Sequence, residues 1–490
     1  MTHARNLSNR STDFVSVKDY GAVGDGTTDD TAAIAAAVAS LPATGGSVVF
    51  PAGVFIGTMS IRRNNISIVG SGSGATILRQ PAGALSTGGV VEVGDTASGN
   101  SATAYDKFCI SGMTLDGNRS AATAPTNDLR GHGLSLTKIT NYSISDLRAV
   151  NCYNSGVGLF INSNFGDVSC RVYNCGNATY TGPGFDINSS KYISLDVVSE
   201  QCYAGARVLD NCWGVNGRVA VYNATAGGFI YDNQTVNESY SNNLDVAVIT
   251  CGGNGFTLGA NCRNSNIRAT ITSAAGVGFV FTNPGTTYAA SNNVLDISTR
   301  LSGQTGLMCY GNDNFIRHQS YLDGRSGAAG SYFAVDIYGN RNKFDVDLID
   351  SATWQVRGIA FRAGAADNDL RVYSYTNTAD PLSDSGTSTF KRYGAGKPAD
   401  IASASGLTLP FNGTFMNITG TAGIATINSA STYAGRAITL RFNGAVTVTH
   451  GTGSNAISLS GAANFSATAN DTLTLISDGS LWVEIGRAVI

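Results

Sequence analysis

Residues 243–281 read Asn243-Leu-Asp-Val-Ala-Val-Ile-Thr-Cys-Gly-Gly-Asn-Gly255-Phe-Thr-Leu-Gly-Ala-Asn-Cys-Arg-Asn-Ser-Asn266-Ile-Arg-Ala-Thr-Ile-Thr-Ser-Ala-Ala-Gly-Val-Gly278-Phe-Val-Phe. Two phrases each occur twice here. An Asn is followed by apolar residues two apart, and a Gly is followed by the same alternation. Period-two alternation places Leu244, Val246 and Val248 on one face and Asp245 and Ala247 on the other, so each phrase is a short strand with one buried side. A unit with two such strands cannot bury its apolar face alone and must stack on copies of itself.

Working outward, the Gly-led strand recurs at Gly133, Gly158, Gly184, Gly205, Gly228, Gly255, Gly278, Gly306 and Gly358, with Tyr332-Phe-Ala-Val in the one wide gap. Starts are 21 to 28 residues apart through Gly306, which is one coil of a β-solenoid. Aligning the Asn-led strands on their inward residues stacks Cys152, Cys175, Cys202, Ala224, Cys251 and Ala274 at the following corner, a ladder of small buryable side chains. The same alignment stacks Asp196, Arg218, Asp245, Arg268, Asp296, Arg317, Asp345 and Arg371 on the outward face. Parallel strands lie about 4.8 Å apart, so each Asp is expected between two Arg side chains, in a network that holds register. The fold expected is all-β: a right-handed parallel β-helix over 61–395, preceded by a linker at 1–13 and an N-terminal cap with a helix at 14–60. After Pro398 the coil rhythm stops, and the short alternating strands of 396–490 suggest a small C-terminal β-sandwich.

Composition agrees with many short strands: of 490 residues 13% are charged and 60 are Gly. A net charge of −3 leaves no basic surface for a phosphate backbone, which argues against nucleic acid. No apolar run reaches the roughly 20 residues a membrane span needs. The polar start carries no apolar signal core, so a chain made in a cytoplasm is expected. Nine cysteines without paired close spacings imply reduced, structural thiols, and no metal or cofactor motif is present.

The run Asp19-Tyr-Gly-Ala-Val-Gly-Asp-Gly-Thr-Thr-Asp-Asp-Thr31, followed by Gly45-Gly46 and Phe50-Pro-Ala-Gly53 and then by Met113-Thr-Leu-Asp-Gly-Asn118, resembles the opening of pectate-lyase-like β-helix proteins, many of them bacteriophage tailspikes. Asp25, Asp29 and Asp30 read as turn and helix-capping residues, and Ile34, Val38 and Leu41 as the helix face that covers the open end of the coil. The resemblance implies a virion tail protein that binds and depolymerises a bacterial surface polysaccharide, capsule or lipopolysaccharide. It also implies a homotrimer attached to the phage tail or an adaptor through its N-terminus. Gly131-His132-Gly133 is similar to a polygalacturonase motif, but the Asn-Thr-Asp and Arg-Ile-Lys runs of that family are absent.

Glycoside hydrolysis needs two carboxyl groups facing outward from the coil. Glu occurs only at 92, 200, 238 and 484. Glu200 ends an Asn-type strand with Tyr173 and Tyr222 stacked on either side, an arrangement suited to pyranose rings, so it is the candidate acid. Its alternative is a solvated Glu between surface tyrosines. A second outward cluster sets Asp186 beside Arg207, which suits a base or nucleophile, with Asp232 in the next coil. The connections Gly176–Pro183, carrying Tyr180, and Asn233–Asn242, carrying Glu238, are expected to wall a groove. Here the alternative is an ordinary surface ion pair. His318 reads as an inward, buried histidine. Two other functions stay open: a non-catalytic glycan-binding tail fibre, and a uronate lyase or epimerase.

Overall fold

A residue in the left-handed backbone region turns a corner at the end of one strand in coil after coil, and Asn, which tolerates that conformation, fills it in three of six successive coils. Asn151, Asn174, Gln201, Asn223, Thr250 and Ser273 all have φ between 53° and 64°, and each precedes the small corner residue expected from the sequence. In a computed structural model the described residues are 13–490 apart from 84–88, 96–102, 126–129, 180–181, 233–237, 283–288, 324–331, 350–356, 376–381, 387–389, 394–399, 411–412 and 431–432. They divide into two units, Met1–Ile316 and Arg317–Ile490.

In the first unit each coil gives one strand to each of two parallel sheets. The first sheet runs through Ile139–Val150, Asn164–Tyr173, Lys191–Glu200, Trp213–Ala224, Asn243–Cys251, Asn266–Ala274 and Val294–Arg300. The second runs through Gly89–Val93, His132–Thr137, Val157–Phe160, Pro183–Asn188, Ala204–Leu209, Phe229–Asp232, Phe256–Leu258, Phe279–Phe281 and Leu307–Cys309. This is a parallel β-helix. Its interior is close-packed: Phe229, Phe256 and Phe279 stack at 5.0 and 4.6 Å between ring centroids. Cys152, Cys175 and Cys202 are buried and stacked, with backbone N–H groups of the first two donating to the next sulfur at 3.4 and 3.5 Å. Burial and the neighbouring Cys152 push the Cys175 thiol well above its ordinary range, as an inert structural role requires.

The opening motif is a turn and cap, as expected. Asp25 accepts from the backbone N–H of Thr27 and Thr28, and Asp29 from that of Thr31 at the start of helix Thr31–Ser40. Asp30 differs from its expected role. Its side chain makes no cap bond but accepts from Val23 and Gly24 N–H at 2.6 and 3.2 Å, tying the Gly24–Gly26 turn to the helix. Ile34, Val38 and Leu41 are buried.

The second unit repeats the two-strand pattern, pairing Lys343–Ile349 with Asp369–Tyr375 and Phe333–Ile337 with Arg357–Phe361. His318 is fully buried within it, and burial pushes its imidazole down to about 3, so it is neutral near pH 7. Residues from 401 form a six-stranded sheet with parallel and antiparallel pairs, plus two two-stranded ribbons. Trp482 anchors this region, fully buried, its indole N–H donating to the Ile427 carbonyl at 3.2 Å. Among the described residues no helix is long and apolar enough to cross a membrane.

Candidate functional site

The strand Lys191–Glu200 buries Ile193, Leu195, Val197 and Ser199, so Ser194, Asp196, Val198 and Glu200 face outward. Register then carries each outward position into a column. Tyr173, Glu200 and Tyr222 form one, continued by Ile249, Thr272 and Arg300. Glu200 is exposed, Tyr222 retains 36% of its surface, and the Tyr173 hydroxyl donates to Gln201 at 2.9 Å. Beside them runs a column of smaller residues: Val198, Ala220, Ala247, Thr270 and Ser298. Beyond these lie the charges, and then Ser194, Asn216, Asn243, Asn266 and Val294. The face is thus a shallow trough along the coil axis, with tyrosines on one side and charges and amides on the other.

The charge column has the expected register from Asp196 to Asp296, and Asp345 pairs with Arg371 in the second unit. The expected sharing of each Asp by two Arg does not occur. Arg218 reaches Asp196 at 3.5 Å and Arg268 reaches Asp296 at 3.9 Å, both loosely and in solvent. Among the described residues Asp245, between them, forms no ion pair. Backbone register fixes where a Cα stands, but long exposed side chains then choose one neighbour. A cavity of about 370 Å³ opens here, lined by Arg218, Asn243, Asp245, Asn266, Arg268 and Asp296 among others.

The other candidates lie elsewhere. Asp186 and Arg207 are cross-strand neighbours on the second sheet, joined by two hydrogen bonds at 2.8 and 2.7 Å, with Asp186 only 2% exposed. Asp232 lies on the next strand of that sheet, opposite Leu209, its carboxylate in the space a side chain at Gly259 would take. Glu238 pairs with Arg263 at 2.8 Å. Tyr180 lies outside the described residues. Within one chain, therefore, Glu200 and the Asp186 cluster belong to different sheets.

One feature escaped the sequence reading. At the leading edge of the first sheet Phe165 and Tyr192 stack at 5.0 Å, Tyr192 meets Trp213 edge-on at 4.5 Å, and Trp213 stacks on Tyr240 at 5.6 Å. Phe165 and Tyr192 hold φ of 59° and 56°, in a left-handed position that neighbouring coils fill with Asn141, Gly214, Ser241, Asn264 and Asn292. A bulky side chain there costs roughly 1 kcal/mol or more, a strain found most often at functional sites. Gly214 leaves room for the Tyr192 ring, which lies 2.9 Å from where a Gly214 β-carbon would stand. The legible signal was an aromatic where the repeat calls for Asn or Gly.

Fold and face together define a parallel β-helix with a polar, aromatic-edged outer sheet. Residues 14–230 match the family described as rhamnogalacturonase A/epimerase, pectate lyase-like, a likeness that extends over that part of the chain. It is 40% identical over 113 residues to mannuronan C5-epimerase AlgE1 of Azotobacter vinelandii, covering 21% of this chain and 8% of that enzyme. To the pre-neck appendage protein of Bacillus phage B103 it is 30% identical over 219 residues, covering 41% of this chain and 24% of that protein. The chain thus spans a minor part of both relatives. The A-module of Azotobacter vinelandii mannuronan C-5 epimerase AlgE6 has the same fold, with a TM-score of 0.54 at 17% identity over 77% of this chain and 99% of that one.

Proposed function

We propose that this protein is a phage tailspike that binds a bacterial surface polysaccharide and depolymerises it by endo-acting glycoside hydrolysis. The observation that carries the reading is the exposed Glu200 between Tyr173 and Tyr222 at the edge of a solvent-facing trough. The likeness to a phage appendage protein supports the virion location, and the pectate-lyase-like fold supports action on polysaccharide. Glu200 acts as the acid on the glycosidic oxygen, and the tyrosines hold the flanking sugars. The carboxylate sharing its strand and face, Asp196, stands four residues earlier, on the order of 13 Å along the strand. That exceeds the roughly 6.5–9.5 Å an inverting pair spans. The second carboxylate therefore comes from a neighbouring chain, with Asp232 and Glu238 better exposed for it than Asp186. An intersubunit site requires an oligomer, and the oligomer proposed is a homotrimer, with the N-terminus left to a phage tail or adaptor protein. Light scattering is expected to give three times the chain mass of 50.6 kDa, and a stable monomer would remove the intersubunit site.

Release of new reducing ends from the surface glycan of a susceptible host tests the activity. Two other readings have support. A uronate lyase or epimerase is favoured by the stretch shared with AlgE1 and by arginines on the same face, and a lyase would reveal itself by the ultraviolet absorbance of an unsaturated uronate. A non-catalytic binding fibre is favoured by the separation of the carboxylates, and would bind the glycan without creating ends.

A further inference from the structure

We infer that Arg148 and Arg171 form a binding site for a tetrahedral dianion, a phosphate or sulfate group, at the Ser145–Asp146 bulge of the first sheet. The site is independent of the glycan-binding reading above. Three observations carry it. Arg148 and Arg171 are paired across adjacent parallel strands and both are exposed on the outward face, so two like charges stand one rung apart. Among the described residues neither guanidinium has a hydrogen bond, an ion pair or a ring contact, and their column continues as Thr114 on one side and Val198 on the other, with no acid interleaved. The two side chains line a cavity of about 250 Å³ together with Ser73, Asp146, Ser169 and Asp196.

The carboxylates in the cavity wall are engaged elsewhere. The bulge shifts the strand register between Ile144 and Leu147 and holds Asp146 at φ 45°. Its carboxylate accepts from the Ser73 backbone N–H at 3.1 Å and from the Ser73 hydroxyl at 2.6 Å. Asp196 is reached by Arg218 at 3.5 Å. Like charges directly opposite one another destabilise a sheet, so an anion seated between the two arginines is attracted by both and offsets their repulsion. The number of oxygens sets the class of anion. A carboxylate has two, which one planar guanidinium fork satisfies through parallel hydrogen bonds. A tetrahedral dianion matches both positive charges, presents an oxygen edge to each fork, and can accept from the hydroxyl of Ser169, two residues before Arg171 on the same face.

Calorimetric titration of the full chain with inorganic phosphate, sulfate and acetate at constant ionic strength tests this. Phosphate and sulfate are expected to bind saturably, one ion per chain, at least about ten-fold more tightly than acetate. Arg148→Gln and Arg171→Gln should each weaken phosphate binding about ten-fold, and the double variant should lose it. Arg268→Gln, four rungs along the same sheet, should bind phosphate as wild type does. Both ions also stabilise folded proteins through their exclusion from the surface, so the rise in melting temperature is read against the double variant, and wild type should rise further. No saturable phosphate binding, acetate bound as tightly as phosphate, or wild-type phosphate affinity in an Arg148→Gln/Arg171→Gln protein that is folded by circular dichroism would each overturn the site. Methyl phosphate distinguishes the source of the anion. If it binds at least as tightly as inorganic phosphate, the site stands as a receptor for a phosphoryl group carried on a larger molecule. If it binds about ten-fold more weakly, the site stands as one for the free ion.

Discussion

Glu200→Gln is expected to lower reducing-end release by about two to four orders of magnitude while glycan affinity stays close to wild type. Gln keeps the shape and hydrogen-bonding reach of Glu and loses only the ionisable proton, so the effect falls on turnover. Tyr173→Ala and Tyr222→Ala should show the opposite pattern, weaker binding with the chemical step retained, because their rings flank Glu200 in the column without supplying a proton. Rate assays at saturating glycan, with affinity measured separately, distinguish the two. Wild-type turnover in Glu200→Gln would remove the acid from this edge of the sheet.

Asp186→Ala is expected to act on stability. Its carboxylate is 2% exposed and bound at two points by Arg207, so the substitution leaves a guanidinium with three-quarters of its side chain buried and its principal partner gone. Removing one partner of a buried pair costs about 3–5 kcal/mol, and because Arg207 can swing partly into water the lower end, roughly 3 kcal/mol, applies. In the other unit Asp336, on the second-sheet strand Phe333–Ile337, is bound at two points in the same way by Arg362, just past the end of the next strand, at 2.6 and 2.8 Å, a recurrence that favours a structural clasp. Denaturant unfolding should place Asp186→Ala well below wild type and restore much of the loss in Asp186→Leu/Arg207→Met. Unchanged stability with cleavage abolished would instead make Asp186 catalytic.

The difference between these two carboxylates shows what a single sequence conveys. Strand alternation and a 21–28-residue period suffice to stack Tyr173, Glu200 and Tyr222, because a parallel coil repeats its register rung after rung. The ladder of small residues at the corner was legible for the same reason. What register does not carry is side-chain choice and burial. Asp186 was read as outward, and it is, yet its outward face is covered, which period-two patterning cannot report. Arg218 and Arg268 each turned to one Asp, which among the described residues leaves Asp245 without an ion pair. Asp30 kept its place before the helix but turned its carboxylate back to Val23 and Gly24. The Phe165–Tyr240 ladder escaped because Phe165 and Tyr192 occupy the left-handed position while Trp213 and Tyr240 stand one residue before it, so Tyr192 and Trp213 do not share a repeat position although they touch.

The central claim is that the outer face of the first sheet holds the polysaccharide. A crystal structure of the protein with an oligosaccharide cut from the glycan it binds tests that most directly. The account predicts sugar rings along the trough between Tyr173 and Arg300, with Tyr173 and Tyr222 against pyranose faces and Glu200 within hydrogen-bond reach of a glycosidic oxygen. An oligosaccharide seated on the second sheet, or on the six-stranded sheet beyond residue 400, with the first sheet bare, would contradict it.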